Sequence, residues 1–292
     1  MSTSKDAAPR ISLPRLGQAG PAALARRLAV NLALWLVVLV RAPRARLPQW
    51  PAGGLIALAA VIAVIVASMF SIDAMASTWA RHLPRGLVDF ADQITDFGRS
   101  GWFLYPLGFI LLCLAAIMSA SLPSGAQRVL GALAARFGFL FTAIALPSLF
   151  STIIKRMIGR ARPYVGPHDD PLNYIPFVWR PEYASMPSGH ATSAAAAAIA
   201  FGAIWPRSRV VMWLYALVIM LSRVVINVHH PSDVIAGALV GVVGALLVRR
   251  WFAARRLVFS ATDLGAFSGP SWRRLKAVAR QSVGAHPAAS SR

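Results

Sequence analysis

Residues 129–163 read VLGALAARFGFLFTAIALPSLFSTIIKRMIGRARP. From Val129 to Ile154 the run carries a single charge, Arg136, and then turns basic at Lys155, Arg156, Arg160 and Arg162 before Pro163. A helix needs about 20 predominantly apolar residues to cross the hydrocarbon core of a bilayer, and basic residues gather where such a helix leaves it. This stretch therefore reads as a membrane span with a cationic end. It sets the expected fold class: all-α, a polytopic membrane helical bundle.

Working outward, five further runs share this character, so that about six transmembrane helices are expected, over 53–72, 101–120, 129–154, 189–205, 210–226 and 234–248. The run at 189–205 is short and Ala-rich, which suits a helix packed inside a bundle, because small side chains let backbones approach. Residues 28–40 fall short of a span. With Arg26 and Arg27 before them and Arg41, Arg44 and Arg46 after, they read as an interfacial helix. Between the first two spans, Leu87, Phe90, Ile94 and Phe97 recur at helical spacing while Asp89, Asp92 and Asp96 share another face. That pattern predicts an amphipathic helix over 81–102 lying on the membrane, or a wall of the substrate entrance. The organisation that follows is a basic cytoplasmic segment with its interfacial helix (1–50), a six-span domain (51–252), and a basic cytoplasmic tail without fixed structure (253–292).

The composition agrees. Hydrophobic residues make up 57% of the 292 and charged residues only 14%, against about 25% charged in soluble domains. A net charge of +20 would ordinarily point to nucleic acid. Here the charge sits at the two ends and beside apolar runs, so membrane-flanking loops account for it and no nucleic-acid partner is expected. Twenty of the thirty Lys and Arg fall on one side: eight before the first span, three in the second and fourth connections, and nine after the last span. Only Asp6 and Asp263 are acidic on that side. The positive-inside rule then puts both termini in the cytoplasm. The single cysteine, Cys113, can make neither an intrachain disulfide nor a metal cluster.

Three blocks carry chemistry. Lys155 and Arg162-Pro163 end the third span. Pro187-Ser188-Gly189-His190 opens the fourth. Ser222-Arg223, His229 and Asp233 bridge the fifth and sixth. By topology all three blocks reach the membrane face opposite the termini. Lys155, Arg162 and Arg223 supply three positive charges, which suit the equatorial oxygens of a phosphate ester. A lone basic residue at a span end is more often an anchor, but Arg223 lies within an apolar helix, where an unpaired charge costs a few kcal/mol. Ser188 is a favoured N-cap, Gly189 lets a ligand approach the backbone, and the helix start forms an anion site. His190 in the first turn can move a proton near neutral pH. His229 and Asp233, four apart on a helix that begins near Pro231, follow the logic of a catalytic triad in which histidine attacks. His230 lacks that spacing and reads as a loop residue or an outer contact. The third connection holds His168, Asp169, Asp170, Asn173, Tyr174, Trp179, Glu182 and Tyr183; it reads as a cap over the site or as ordinary turn chemistry. With no HExxH pattern and no Cys or carboxylate cluster, no catalytic metal or other cofactor is expected.

Together these residues resemble the type 2 phosphatidic acid phosphatase (PAP2) superfamily, whose pattern is K-x6-RP, then PSGH, then SR-x5-H-x3-D. Every fixed position is met, in order, within roughly 101–248. The resemblance implies a helical PAP2/haloperoxidase-like core and a metal-independent phosphatase. It implies that His229 attacks phosphorus, His190 protonates the leaving oxygen, Asp233 orients the nucleophile, and Lys155, Arg162, Ser188, Gly189 and Arg223 hold the phosphoryl oxygens. Six spans argue against the soluble members. The chain is similar to bacterial inner-membrane lipid phosphatases, with Asp96-Phe-Gly-Arg-Ser-Gly-Trp102 as a minor further likeness. The implied substrate is a phosphomonoester or diphosphate of a lipid of the lipid A, phosphatidylglycerophosphate, phosphatidate or undecaprenyl diphosphate class, met from the periplasmic side. Two alternatives stand beside this reading: a phosphotransferase that passes the phosphoryl group to another lipid, and a membrane protein that binds an anion without turnover.

Overall fold

The computed structural model describes residues 20–47, 49–119, 121–165 and 170–260. His168 and Asp169 of the third connection, and the terminal basic residues before 20 and after 260, lie outside them. Nine α-helices follow in order among the described residues: α1 (Pro21–Val40), α2 (Ala52–Ser71), α3 (Asp73–Arg81), α4 (Arg85–Thr95), α5 (Gly101–Ile117), α6 (Ser124–Ile158), α7 (Gly189–Ile204), α8 (Arg209–Val225) and α9 (Pro231–Ala254). No sheet forms among them. The chain is a multi-pass membrane protein.

Among the described residues six helical segments are long and apolar enough to cross a membrane, but not the six read from the sequence. Five coincide. The exchange is between the first helix and the fourth expected span. The run at 28–40 is extended backwards to Pro21, which gives α1 20 residues and the length of a span. The expected span at 189–205 forms α7, with only 16 residues. The reason is visible in its packing. Ala191–Ala198 and Ala200 are all buried, so α7 is sheathed by protein and its length need not match the bilayer. By contrast α2 turns Leu55, Ile56, Ile62, Val64, Val66 and Phe70 outward, an apolar surface of the kind that lipid covers.

The chain divides into two compact units. The smaller comprises α1 with the end of α5 and the start of α6. There Asn31 Nδ2 donates to the carbonyls of Ala115 and Met118 at 2.7 and 3.0 Å, and Arg27 donates to that of Ala116 at 3.3 Å. These are carbonyls at the end of α5 that find no partner within the helix.

The larger unit, Ala42–Ile110 and Ala135–Gly269, is built around α7, which packs on α8 and most extensively on α9. Gly237 and Gly241, one turn apart on α9, make that approach possible: a Cβ at either would stand 2.4 Å from the Ser188 or Thr192 carbonyl oxygen of α7. From the other side, Ser148 of α6 meets Ser193 at 3.2 Å, and Phe139 stacks edge-on against Phe252 and Phe259. That cluster corrects the tail boundary. Ala253, Ala254, Val258 and Phe259 are buried, so the folded part continues past 252, because α9 runs on to Ala254 and the chain then turns Phe259 back onto α6.

The segment expected as one amphipathic helix over 81–102 is broken: α4 covers only Arg85–Thr95, Asp96–Gly98 form a 3-10 turn, and Gly101 already begins α5. α3 ends at Arg81, and the helix that carries the predicted stripe is α4. Leu87, Phe90 and Phe97 face outward as expected, while Ala91 and Thr95 are buried where α4 packs on α8. α4 is therefore part of the bundle wall.

Candidate active site

All three sequence blocks converge in the larger unit. Gly159 ends α6 with φ +65°, and a Cβ there would stand 1.8 Å from the Ile175 carbonyl oxygen. This glycine turn releases the chain into a strand-like path that is pinned on both sides. Ile175 N donates to Gly159 O, Ala161 N to Asn173 O, Arg162 N to Glu182 O and Ser185 N to Arg160 O, at 2.7–3.1 Å. The third connection thus holds the backbone of Arg160 and Arg162 in place. Its own turn is set by Asp170, whose side chain accepts Leu172 N at 2.8 Å, as turn chemistry predicts.

Ser188 stands at the N-cap of α7, but its hydroxyl makes no capping bond. Its backbone N–H donates to the Asp233 carbonyl at 2.9 Å, tying the start of α7 to that of α9. A methyl group at Gly189 would sit 3.0 Å from Lys155 Nζ, so the ammonium lies directly over the start of α7. Arg223 is buried near the end of α8, with Nη1 donating to Thr95 Oγ1 at 2.9 Å. Behind His190 runs the Asp96–Gly98 turn, where a Cβ at Gly98 would stand 3.0 Å from the imidazole.

His229 and Asp233 are both buried. Their closest approach, Nδ1 to Oδ2, is 3.6 Å, longer than a hydrogen bond. Ser185 stands between them, its hydroxyl 2.5 Å from Asp233 Oδ2 and 3.4 Å from His229 Nδ1. The Nδ1 edge of His229 faces this acidic corner, leaving Nε2 as the free edge. Burial pushes His229 down to about 4 against the opposing pull of Asp233, with Arg223 and Arg162 lowering it further, so the imidazole is neutral at pH 7. His230 corrects the loop reading. It is buried, its backbone N–H donates to Asp233 Oδ2 at 2.9 Å, and its Nδ1 lies 3.4 Å from the same oxygen. The cause is helical geometry: His230 is the N-cap of α9 and Asp233 its third residue, which brings each to the other.

Four residues outside the sequence reading join this set. Asp73, Arg160, Ser185 and Ser232 are all buried and linked to Asp233 or to its partners. Thr95 joins through Arg223.

The buried polar atoms without a hydrogen-bond partner include Arg162 Nε, Ser188 Oγ, His190 Nε2 and Arg223 Nε. They come from three separate segments, all of them in the predicted blocks. Buried donors are almost always paired, and an oxyanion with several acceptor oxygens is the group that would pair this set.

The model of the PAP2 superfamily matches residues 136–257. A protein named lipid A 1-phosphatase, from Rhizobium johnstonii, is 32% identical over 203 residues, covering 69% of this chain and 82% of its own. The chain belongs to the PAP2 superfamily. Within it, the chain falls in the bacterial membrane lipid phosphatase branch, and it is a phosphoric ester hydrolase. A decaprenylphosphoryl-5-phosphoribose phosphatase from Mycobacterium tuberculosis is 33% identical over 165 residues, covering 56% of this chain and 79% of its own. A crystal structure of a transmembrane PAP2-type phosphatidylglycerolphosphate phosphatase from Bacillus subtilis aligns over 65% of this chain and 93% of that one, with 21% identity and a TM-score of 0.45. The matched PAP2 region takes in all three blocks but begins after α2 and α3, so Asp73 lies outside it.

Proposed function

We propose that this PAP2 protein hydrolyses the phosphomonoester of an amphiphilic lipid through a phosphohistidine on His229, at the outer face of the bacterial inner membrane. The observation that carries the reading is the set of buried, unpartnered polar atoms on Arg162, Ser188, His190 and Arg223, gathered with Lys155 and a neutral His229.

In the proposed reaction Lys155, Arg162 and Arg223, with Ser188 and the N–H groups at Gly189, hold the phosphoryl oxygens. Preorganised donors of this kind stabilise charge in the transition state. Nε2 of His229 forms a bond to phosphorus as the bond to the leaving oxygen breaks, and His190, which takes up a proton once the phosphate dianion offsets the surrounding cations, delivers that proton to the leaving oxygen. Asp233, with Ser185 beside it, holds Nδ1 protonated and stabilises the cationic ring that forms. Water then attacks phosphorus, neutral His190 takes its proton, the N–P bond breaks, and inorganic phosphate leaves.

The two Rhizobium relatives named lipid A 1-phosphatase support a glycolipid 1-phosphate as the first substrate to test. Phosphate release is measured with purified protein on lipid A, phosphatidylglycerophosphate, phosphatidate and undecaprenyl diphosphate. Release from at least one, lost in His229→Ala, is expected. Undiminished release by His229→Ala would overturn the mechanism.

The orientation rests on Arg44 and Arg46 before α2 and on Arg249, Arg250, Arg255 and Arg256 around the end of α9, with Arg44 N and Ala45 N donating to the Ala254 carbonyl at 2.8 and 3.0 Å. A reporter that is active only in the cytoplasm, fused after Arg292, is expected to be active. An inactive cytoplasmic reporter together with an active periplasmic one would reverse the assignment.

A further inference from the structure

The guanidinium of Arg160 is fully buried and bonded at every nitrogen. Nη1 donates to Asp233 Oδ1 and to Ser232 Oγ, each at 2.6 Å; Nη2 donates to Asp73 Oδ2 at 2.8 Å; Nε donates to the Pro171 carbonyl at 2.9 Å. Asp73, Arg160 and Asp233 each expose 0% of their side chains. Asp73 is committed on both oxygens. Oδ1 accepts Ser232 N at 3.0 Å and Ser68 Oγ at 3.2 Å, and Oδ2 accepts the Ser232 hydroxyl as well as Arg160. One carboxylate from the start of α3 therefore caps the start of α9 and shares a guanidinium with the carboxylate of Asp233.

We propose that Asp73 and Arg160 form an ionic brace that positions Asp233, and through it the His229 nucleophile. The proposal rests on the reading of His229 given above. Neither residue occupies a fixed position of the three sequence blocks.

The geometry gives the brace two effects. The first is orientation. A carboxylate bound by one oxygen can still swing about its Cβ–Cγ bond. With Oδ1 locked onto Nη1, Oδ2 is directed to the side where Ser185 Oγ, His230 N and His229 Nδ1 lie. The second is charge. A guanidinium paired with Asp233 alone would neutralise the carboxylate that must stabilise a cationic His229. Because Asp73 shares it, the three groups keep a net charge of −1 spread over the two carboxylates, part of it on Asp233 Oδ2, the oxygen that faces the nucleophile. The planar fork of arginine suits this two-sided role, whereas lysine presents a single point.

The brace touches none of the phosphate-holding side chains, so its loss has a specific signature. In the full-length protein, Asp73→Asn is expected to lower kcat on the order of 10- to 100-fold, taking the scale known for residues that orient metal ligands from behind. KM and product inhibition by inorganic phosphate are expected to stay near wild type. In an Asp233→Asn background the same change is expected to cost little more, since its route to the reaction is already cut. Arg160→Lys is expected to lower kcat in the same way.

Should Asp73→Asn fail to fold, the paired Asp73→Asn/Arg160→Met variant removes one charge of each sign and is expected to show the same fall in kcat at unchanged KM. Wild-type kcat in Asp73→Asn would overturn the brace. So would a loss of kcat and phosphate inhibition together, or a full multiplicative loss on top of Asp233→Asn. If His229→Ala kept full activity, it is the nucleophile assignment that would fall, and that result is separate from all of these.

Discussion

Gly237→Ala adds one methyl group at the place where α9 lies closest to the active-site end of α7. The new carbon would stand 2.4 Å from the Ser188 carbonyl oxygen, 3.0 Å from Ala191 Cβ and 3.2 Å from the Ser188 carbonyl carbon. Ordinary contact begins at 3.4 Å, so the pair is about 1 Å too close. Two of the three obstructing atoms are backbone and the third is the only side-chain carbon of an alanine, so no rotamer change relieves the clash. The start of α7 must move instead. That start carries Ser188, Gly189 and His190. Overpacking of this kind costs about 1–3 kcal/mol of stability, and a displacement of about 1 Å at a catalytic group can cost on the order of 100-fold in rate. The expected outcome is a fall in kcat/KM of about 100-fold with a lowered melting temperature in detergent. Gly131→Ala is the control, because a Cβ at Gly131 meets nothing within 4 Å; it is expected to leave activity intact and to raise helix stability by up to about 1 kcal/mol. Phosphate release is assayed on whichever lipid the panel identifies. Near-wild-type kcat/KM in Gly237→Ala would refute the idea that close α7–α9 contact fixes the site.

Other expectations follow from the same geometry. Asp233→Asn removes the charge behind His229 and leaves Arg160 facing one carboxylate; activity is expected to fall by on the order of 10⁴-fold by analogy with triad orienting groups, read as single-turnover phosphate release. Thr95→Val takes away the hydroxyl that receives Arg223 Nη1, and an increase in KM larger than the change in kcat is expected from steady-state kinetics. For pH, His229 sits at about 4 in the folded protein against an ordinary 6.5. Between those values the unfolded chain binds a proton that the folded one does not, so stability from this group is complete above pH 6.5 and is lost as pH falls toward about 4. Thermal unfolding across pH 4–7 is expected to show a shallower acid loss in His229→Gln than in wild type.

Much of this site was legible in the sequence. Lys155, Arg162, Ser188, Gly189, His190, Arg223, His229 and Asp233 all lie where the ends of α6 and α8 meet the starts of α7 and α9, and their residue types and spacing within each block are plain in the sequence. The supporting residues were not legible. Arg160 sits in the spacer between Lys155 and Arg162, where it reads as another basic residue at a span end. Asp73 follows the first span, and its bond to Ser232 joins residues 159 positions apart; no local periodicity reports a contact of that separation. Ser185 is two residues before Pro187 and looks like a loop serine. His230 was set aside for its spacing to Asp233, yet an N-cap and its third helical residue are neighbours.

A helical membrane protein could be read from the sequence, because that follows from the length of the apolar runs alone. The sequence also determined the chemical types at the centre, since a nucleophile, an acid and three cations are properties of side chains alone. Which apolar runs have span length, and which is the buried centre, depended on the packing: α1 extends about two turns before its apolar core, and α7 is short because protein surrounds it. Only the tertiary structure could set Asp73, Arg160 and Ser185 behind Asp233. Burial makes the difference, because a charge removed from water must find its partners wherever the fold brings them, and the sequence records the charges but not the meetings.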